Sequence, residues 1–141
     1  MKLTIQTPIA KNYKAVFTRF DLELFKKLKP PVVSLEVERF DGCKKGDEVH
    51  LIVSGKKWVS HITDFYQDDN EIYFIDCGVV TPAPIKSWTH IHKIKKTGEN
   101  ECVIIDDIDF STGNSLMDKL LYPALLAMFS LRRPIYKREL S

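Results

Sequence analysis

No apolar run in this 141-residue chain approaches the roughly 20 residues a membrane-spanning helix needs. The opening Met1-Lys2-Leu3-Thr4-Ile5-Gln6 alternates polar and apolar instead of forming the apolar block of a signal peptide, so a first strand is expected there. Cysteine is scarce. Cys43, Cys77 and Cys102 are odd in number and lack C-x-x-C spacing, which argues against a disulfide framework and for free thiols in a reducing, cytoplasmic setting. Neither sign of charge dominates: 21 basic residues against 19 acidic ones leave a formal +2, which gives nucleic acid no electrostatic footprint. Repeats and low-complexity segments are missing too, so a single domain over 1–141 is expected. What is present is apolar substance, 44% hydrophobic and 11% aromatic, enough for one real core.

Strand periodicity fills most of the chain. Leu3 and Ile5 alternate with Thr4 and Gln6 over 2–7, where Pro8 is expected to stop the strand. Asn12 is placed to cap a short helix reaching Phe20. Asp21 is placed to cap a second, with Leu22, Phe25 and Leu28 as its apolar stripe, ended by Lys29-Pro30-Pro31. Next, Val33, Leu35 and Val37 alternate with Ser34, Glu36 and Glu38. Strands are then expected at 49–53, 58–65, 72–80, 88–94 and 101–110, joined by short polar turns such as Ser54-Gly55-Lys56. That order describes a meandering antiparallel sheet.

After Ser111 the period becomes helical. Leu116, Leu120, Ala124, Met128 and Leu131 recur at helical spacing, joined by Leu121, Leu125 and Ile135. Pro123 would cost roughly 3 kcal/mol in an unkinked helix interior, so a kink or the first turn of the main helix is expected there. Pro134 poses the same question near the end. A strongly curved sheet cannot bury its concave face against itself, and this helix is the element with enough apolar surface to lie across it.

The residues able to carry chemistry sit on the last three strands. Alternation places Trp88, His90, His92 and Ile94 on one face, with Ile104, Asp106, Ile108 and Phe110 on one face of the next strand. Phe74 and Asp76 share a face on the strand before them. Large apolar groups mixed with ionisable ones are what a dry core avoids, so these faces read as the polar part of an internal cavity. Three readings of Asp76, His90, His92 and Asp106 compete. They form a satisfied polar network that fixes strand register, they bind the polar head of an apolar molecule, or a His–Asp pair serves as general acid or base. Zinc ligation by two histidines at i and i+2 is a weak variant, since no thiol joins them on that face. His50 and His61 have the opposite parity to their apolar neighbours and are expected to face water. Asp107 and Asp109 fall on the face opposite Asp106, and no EF-hand loop is present, so calcium is not expected. Arg132, Arg133, Lys137 and Arg138 read as a solvated helix end.

Several of these residues stand in a familiar order. Gly42-Cys43-Lys44-Lys45-Gly46-Asp47, Trp58, Phe74-Ile75-Asp76, Trp88-Thr89-His90-Ile91-His92, Ile104-Ile105-Asp106 and Met128-Phe129-Ser130-Leu131-Arg132 together resemble the SRPBCC, or START-like, superfamily. The nearest likeness is to its small bacterial stand-alone branch of ligand-binding and polyketide-cyclase-like proteins, from Met1 to about Lys137. W-x-H-x-H followed by a strand Asp is the most specific part. Two features depart from that branch: Thr81-Pro82-Ala83-Pro84-Ile85 replaces a Gly-Pro-Phe, and Ile94 replaces an aromatic residue. The resemblance implies an α+β helix-grip fold: a curved six- or seven-stranded antiparallel sheet around a long C-terminal helix, with two short helices after strand one. It also implies a small hydrophobic or lipid ligand held between sheet and helix, with no cofactor. The candidate ligand-binding residues are Trp58, Phe74, Asp76, Trp88, His90, His92, Asp106, Phe110, Leu125, Met128 and Phe129. Any catalysis would fall to His90, His92 and Asp106. An enzyme of cyclase or hydrolase type is the alternative, and a protein-interaction module related to cell division, needing an exposed apolar patch, is a third class.

Overall fold

Seven antiparallel strands form one curved sheet in the order β1-β7-β6-β5-β4-β3-β2 in the computed structural model, which describes Met1–Ser141. The strands are β1 (Lys2–Ile9), β2 (Leu35–Phe40), β3 (Glu48–Val53), β4 (Lys56–Gln67), β5 (Glu71–Val80), β6 (Ser87–Gly98) and β7 (Glu101–Ser111). Two short helices, α1 (Tyr13–Phe17) and α2 (Leu22–Lys27), carry the chain from the β1 edge to the β2 edge. The C-terminal segment is α3 (Ser115–Ser130) joined to α4 (Arg132–Leu140). This is the α+β arrangement expected, with the strands running in meander order after β2. No helix is long and apolar enough to cross a membrane.

Local chemistry explains most boundaries. Asn12 Oδ1 accepts from the Lys14 and Ala15 amides at 3.0 and 3.4 Å, and Asp21 Oδ1 accepts from the Leu24 amide at 2.9 Å, so both caps act where expected. The β3–β4 hairpin turns on Ser54 and Gly55 at φ 48° and 80°, the paired positive values that a two-residue turn between twisted strands requires.

Four expectations need correction. β1 runs through Pro8 to Ile9, because β1 is an edge strand and the amide that proline lacks has no partner to lose on the open side. α2 buries Leu24, which the expected stripe left out, beside Leu28, while Leu22 and Phe25 are only half-buried. Pro123 lies inside α3 and not in its first turn, and the C-terminal segment divides at Leu131, which puts Pro134 in the first turn of α4 where proline is tolerated. The helix stripe holds only in part: Leu116 and Leu120 are 66% exposed, whereas Leu125 is buried as expected, together with Tyr136 and Leu140, which the stripe left out.

The core lies in two separate apolar clusters on the concave side. One gathers Ile72, Ile94, Cys102 and Ile104 under α1, α2 and Tyr136. The other gathers Leu3, Ile5, Trp88, Ile108 and Phe110 against Leu125. Between them on the strands stand His90 and His92 of β6 and Asp106 of β7, so a polar layer crosses the core from strand to strand.

Candidate functional site

A cavity of about 350 Å³ opens between the concave sheet face and the C-terminal helices, and 20 of its 30 lining residues are hydrophobic. Trp58 of β4, Phe74 and Asp76 of β5, and Trp88, His90 and His92 of β6 supply the sheet wall. Leu125, Met128 and Phe129 of α3 supply the helix wall. Trp58 and Trp88 meet edge to face at 5.1 Å, and Phe129 tilts against Trp88 at 5.8 Å. Gly78 makes room for this group, since a Cβ there would stand 2.7 Å from Thr81 Cγ2 and 3.1 Å from Trp88 Cβ. Two sequence candidates stand back from the wall. Phe110 is fully buried beneath Trp88 in the second apolar cluster, and Asp106, 1% exposed, lies behind the histidines. Ile94 also sits away from the cavity, in the first cluster, whereas Pro82 and Ile85 of the departing loop reach it.

The ionisable groups cross over in their pairing. In register, Asp76 faces His90 and Asp106 faces His92. The hydrogen bonds run along the diagonals: His90 Nε2 is 2.9 Å from Asp106 Oδ1, and His92 Nε2 is 2.9 Å from Asp76 Oδ2. Both acids being ionised, the ring N–H groups donate. Pulled in opposite directions along neighbouring diagonals, the two imidazoles stack at 3.6 Å, and Phe74 covers His92 at 4.4 Å.

A third element completes the site, and it was not anticipated. Arg132, expected at a solvated helix end, is only 13% exposed, and its Nη1 lies 3.3 Å from Asp106 Oδ1. Tyr136, one turn on, donates from 3.5 Å to the same oxygen. Three donors thus converge on Asp106 Oδ1, while Oδ2 has none. The Arg132 guanidinium also lies over the Phe129 ring at 4.7 Å. Ser60, likewise unanticipated, accepts from Trp58 Nε1 at 2.8 Å and fixes the indole at the wall. Cys43 lines the cavity as a thiol that burial pushes up to about 12, too high to form a nucleophilic thiolate near neutrality. His50 and His61 lie on the outer face as expected, both beside Glu48.

Electrostatics sorts the inner groups. Burial pushes the Asp106 carboxyl up, but the Arg132 charge and the His90 hydrogen bond outweigh it and hold the group at about 2. Burial and the neighbouring His92 push His90 down to about 4 against the pull of Asp106, so His90 is a neutral donor. Burial pushes Asp76 up, and the His92 hydrogen bond and the nearby imidazoles bring it below its ordinary value.

Asp76, His90 and His92 offer one ligand atom each within 4.8 Å of one another. The stack works against chelation: the two imidazoles lie face to face at 3.6 Å, whereas a shared ion needs in-plane lone pairs of both rings to converge on it.

No protein-family model matches the sequence, and no curated protein matches it. Solved structures do. Truncated norcoclaurine synthase from Thalictrum flavum superposes with a TM-score of 0.68 at 13% identity, over 100% of this chain and 94% of that one. A protein from Mycobacterium smegmatis gives 0.69 at 15% identity over 99% and 90%. An uncharacterized protein from Bacillus thuringiensis gives 0.63 at 13% over 94% and 95%. Identities this low speak for the fold alone, and that fold is the helix grip.

Proposed function

We propose that the protein binds or carries a small, mostly apolar molecule in the space between its sheet and its C-terminal helices. The observation that carries this reading is an apolar cavity of about 350 Å³, with a few convergent polar groups at one wall. That size and that mixture suit small-molecule sites. Trp58, Phe74, Trp88, Leu125, Met128 and Phe129 would hold the apolar body, while Asp76, His90 and His92 would orient a polar end. Asp106 acts from behind, holding His90 in place. The three unpaired cysteines favour a cytoplasmic carrier. Native mass spectrometry of the purified protein should show an adduct that denaturation releases, and apolar ligands that displace it should change Trp58 and Trp88 fluorescence. An adduct-free mass, with fluorescence and melting temperature unmoved by a panel of apolar molecules, would overturn the reading.

One observation favours a second reading, an enzyme of cyclase or hydrolase type. His92 reaches the cavity wall, 13% exposed, and Asp76 fixes its ring through Nε2. The other ring nitrogen, Nδ1, lies 4.0 Å from Asp106 Oδ1 without a hydrogen bond and is the atom left to act as a general base. His92→Ala would then abolish turnover while leaving ligand affinity nearly intact.

A further inference from the structure

The charges at the polar wall do not balance. Arg132 is the one guanidinium of the cluster, and Asp106 takes it at 3.3 Å. Asp76 has no such partner. Its only ion-pair neighbour is His92, and its Oδ1 accepts no hydrogen bond at all. Two carboxylates therefore share one guanidinium, and the one left without it is Asp76. This is also the acid that meets the cavity, with 19% of its side chain open against 1% for Asp106.

The geometry points to an apolar amine as the ligand class, its ammonium head docked on the Asp76 carboxylate and its tail between Trp58, Trp88 and Phe129. This rests on the proposed ligand site and adds the chemistry of the head. A cation there supplies a positive charge, and the N–H groups it brings meet a carboxylate held by the His92 ring and the Ser60 hydroxyl whose Oδ1 has no partner. The ring of Phe74, stacked beside His92, adds a π face to the same corner. A carboxylate head there would add a second negative charge beside Asp76, since Asp106 takes the charge of Arg132 and Lys29, the other cation lining the cavity, donates to the Pro30 and Val33 carbonyls. A hydroxyl head would donate a hydrogen bond but leave the charge unmatched.

The test uses three probes with one tail: decylamine, decan-1-ol and decanoate, titrated by calorimetry into the full-length protein. Decylamine is expected to bind about tenfold or more tighter than either of the others, the ratio a charge-assisted hydrogen bond supports. Asp76→Asn keeps an acceptor for His92 and should erase the preference, so that decylamine and decan-1-ol bind alike within the variant, while a cooperative urea transition shows that the variant is folded. Equal binding of amine and alcohol by the wild-type protein overturns this inference alone, because it means that the Asp76 carboxylate draws no cation from the ligand. Tightest binding of decanoate overturns it in favour of an anion at Arg132. If none of the three binds, the ligand site itself fails and the inference with it. The head-group comparison in the wild-type protein needs no variant to decide the matter.

Discussion

Two clusters on opposite faces of the sheet are built from the same parts: two histidines, two carboxylates and one arginine. On the concave face they are His90, His92, Asp76, Asp106 and Arg132. On the outer face they are His50, His61, Asp41, Glu48 and Arg39. The distances are alike. Arg39 reaches Asp41 at 2.8 Å, His50 reaches Glu48 at 3.0 Å, and His90 reaches Asp106 at 2.9 Å. The surroundings are not. Arg39 is 50% exposed and Glu48 30%, so water and salt screen each pair, whereas Asp106 is 1% exposed and has only protein for a solvent. Contact distance therefore says little about what such a cluster is worth; burial decides it, and every experiment below sets the inner cluster against the outer one or a buried face against an exposed one.

Removing the acid at the centre of the inner cluster should have the largest effect. Asp106→Ala strips Arg132 of its counter-charge and His90 of its acceptor inside the protein, and should cost about 3–5 kcal/mol in urea denaturation. Arg132→Met, tested alone and combined with Asp106→Asn, separates charge from packing. Each single variant leaves one buried charge or donor unmatched, so the double variant should be more stable than the two losses summed. Strict additivity would mean that Asp106 and Arg132 do not act on each other.

The second experiment is a pH series, and its sign follows from His90. The ring titrates near 6.5 ordinarily and near 4 in the fold, so between those values the unfolded chain holds a proton the native state lacks. Stability should therefore fall as pH drops through that window, by about 3 kcal/mol at full shift. Asp106 acts lower down: its contribution is present above 3.8 and is lost only as pH falls toward about 2. His90→Gln should remove the His90 component, seen as a smaller change in urea midpoint between about pH 7 and about pH 4.5. An identical pH dependence in both proteins would show that His90 is not held neutral by its surroundings.

Which of this could be read in the sequence follows a physical pattern. Alternation along β1, β3, β5, β6 and β7 was legible because each strand buries one face, so His90, His92, Asp76 and Asp106 could be assigned to the concave side. The turn residues and the Asn12 and Asp21 caps were legible because their chemistry is local. Pro8 misled because edge position is a property of the sheet, not of the residue. Arg132 misled for a related reason. It continues the buried row of Leu125, Phe129, Tyr136 and Leu140, but an arginine among other cations near a chain end reads as solvated until topology sets Asp106 opposite it. The spacing of that row was the available signal.

The helix itself offers the next experiment, because leucines occupy both of its sides and periodicity alone did not separate them. Leu125→Ala removes a side chain 9% exposed and should cost about 2–3 kcal/mol, toward the low end for a core leucine because the cavity already adjoins it. Leu120→Ser, 66% exposed, should stay within about 0.5 kcal/mol. Should Leu120→Ser prove the costlier, something covers that face in solution, and the interaction-module class would gain its apolar patch.

The smallest effect belongs to the outer cluster. Glu48 is held below its ordinary value by the His50 hydrogen bond first, with Arg39 and His61 adding to it, so like Asp106 it gathers three side-chain partners. Yet Glu48→Gln should leave the urea midpoint unmoved within error, because water replaces each lost partner and no charge is stranded. Raising salt to roughly 1 M shortens the screening length to about 3 Å and should erase any residual difference between Glu48→Gln and wild type. The same salt should leave the loss in Asp106→Ala almost untouched, because counter-ions cannot enter the space behind His90 and His92. A salt-sensitive Asp106→Ala would mean that the inner cluster is wetted through the cavity, and that an ion from solution can already reach the wall on which Asp76 stands.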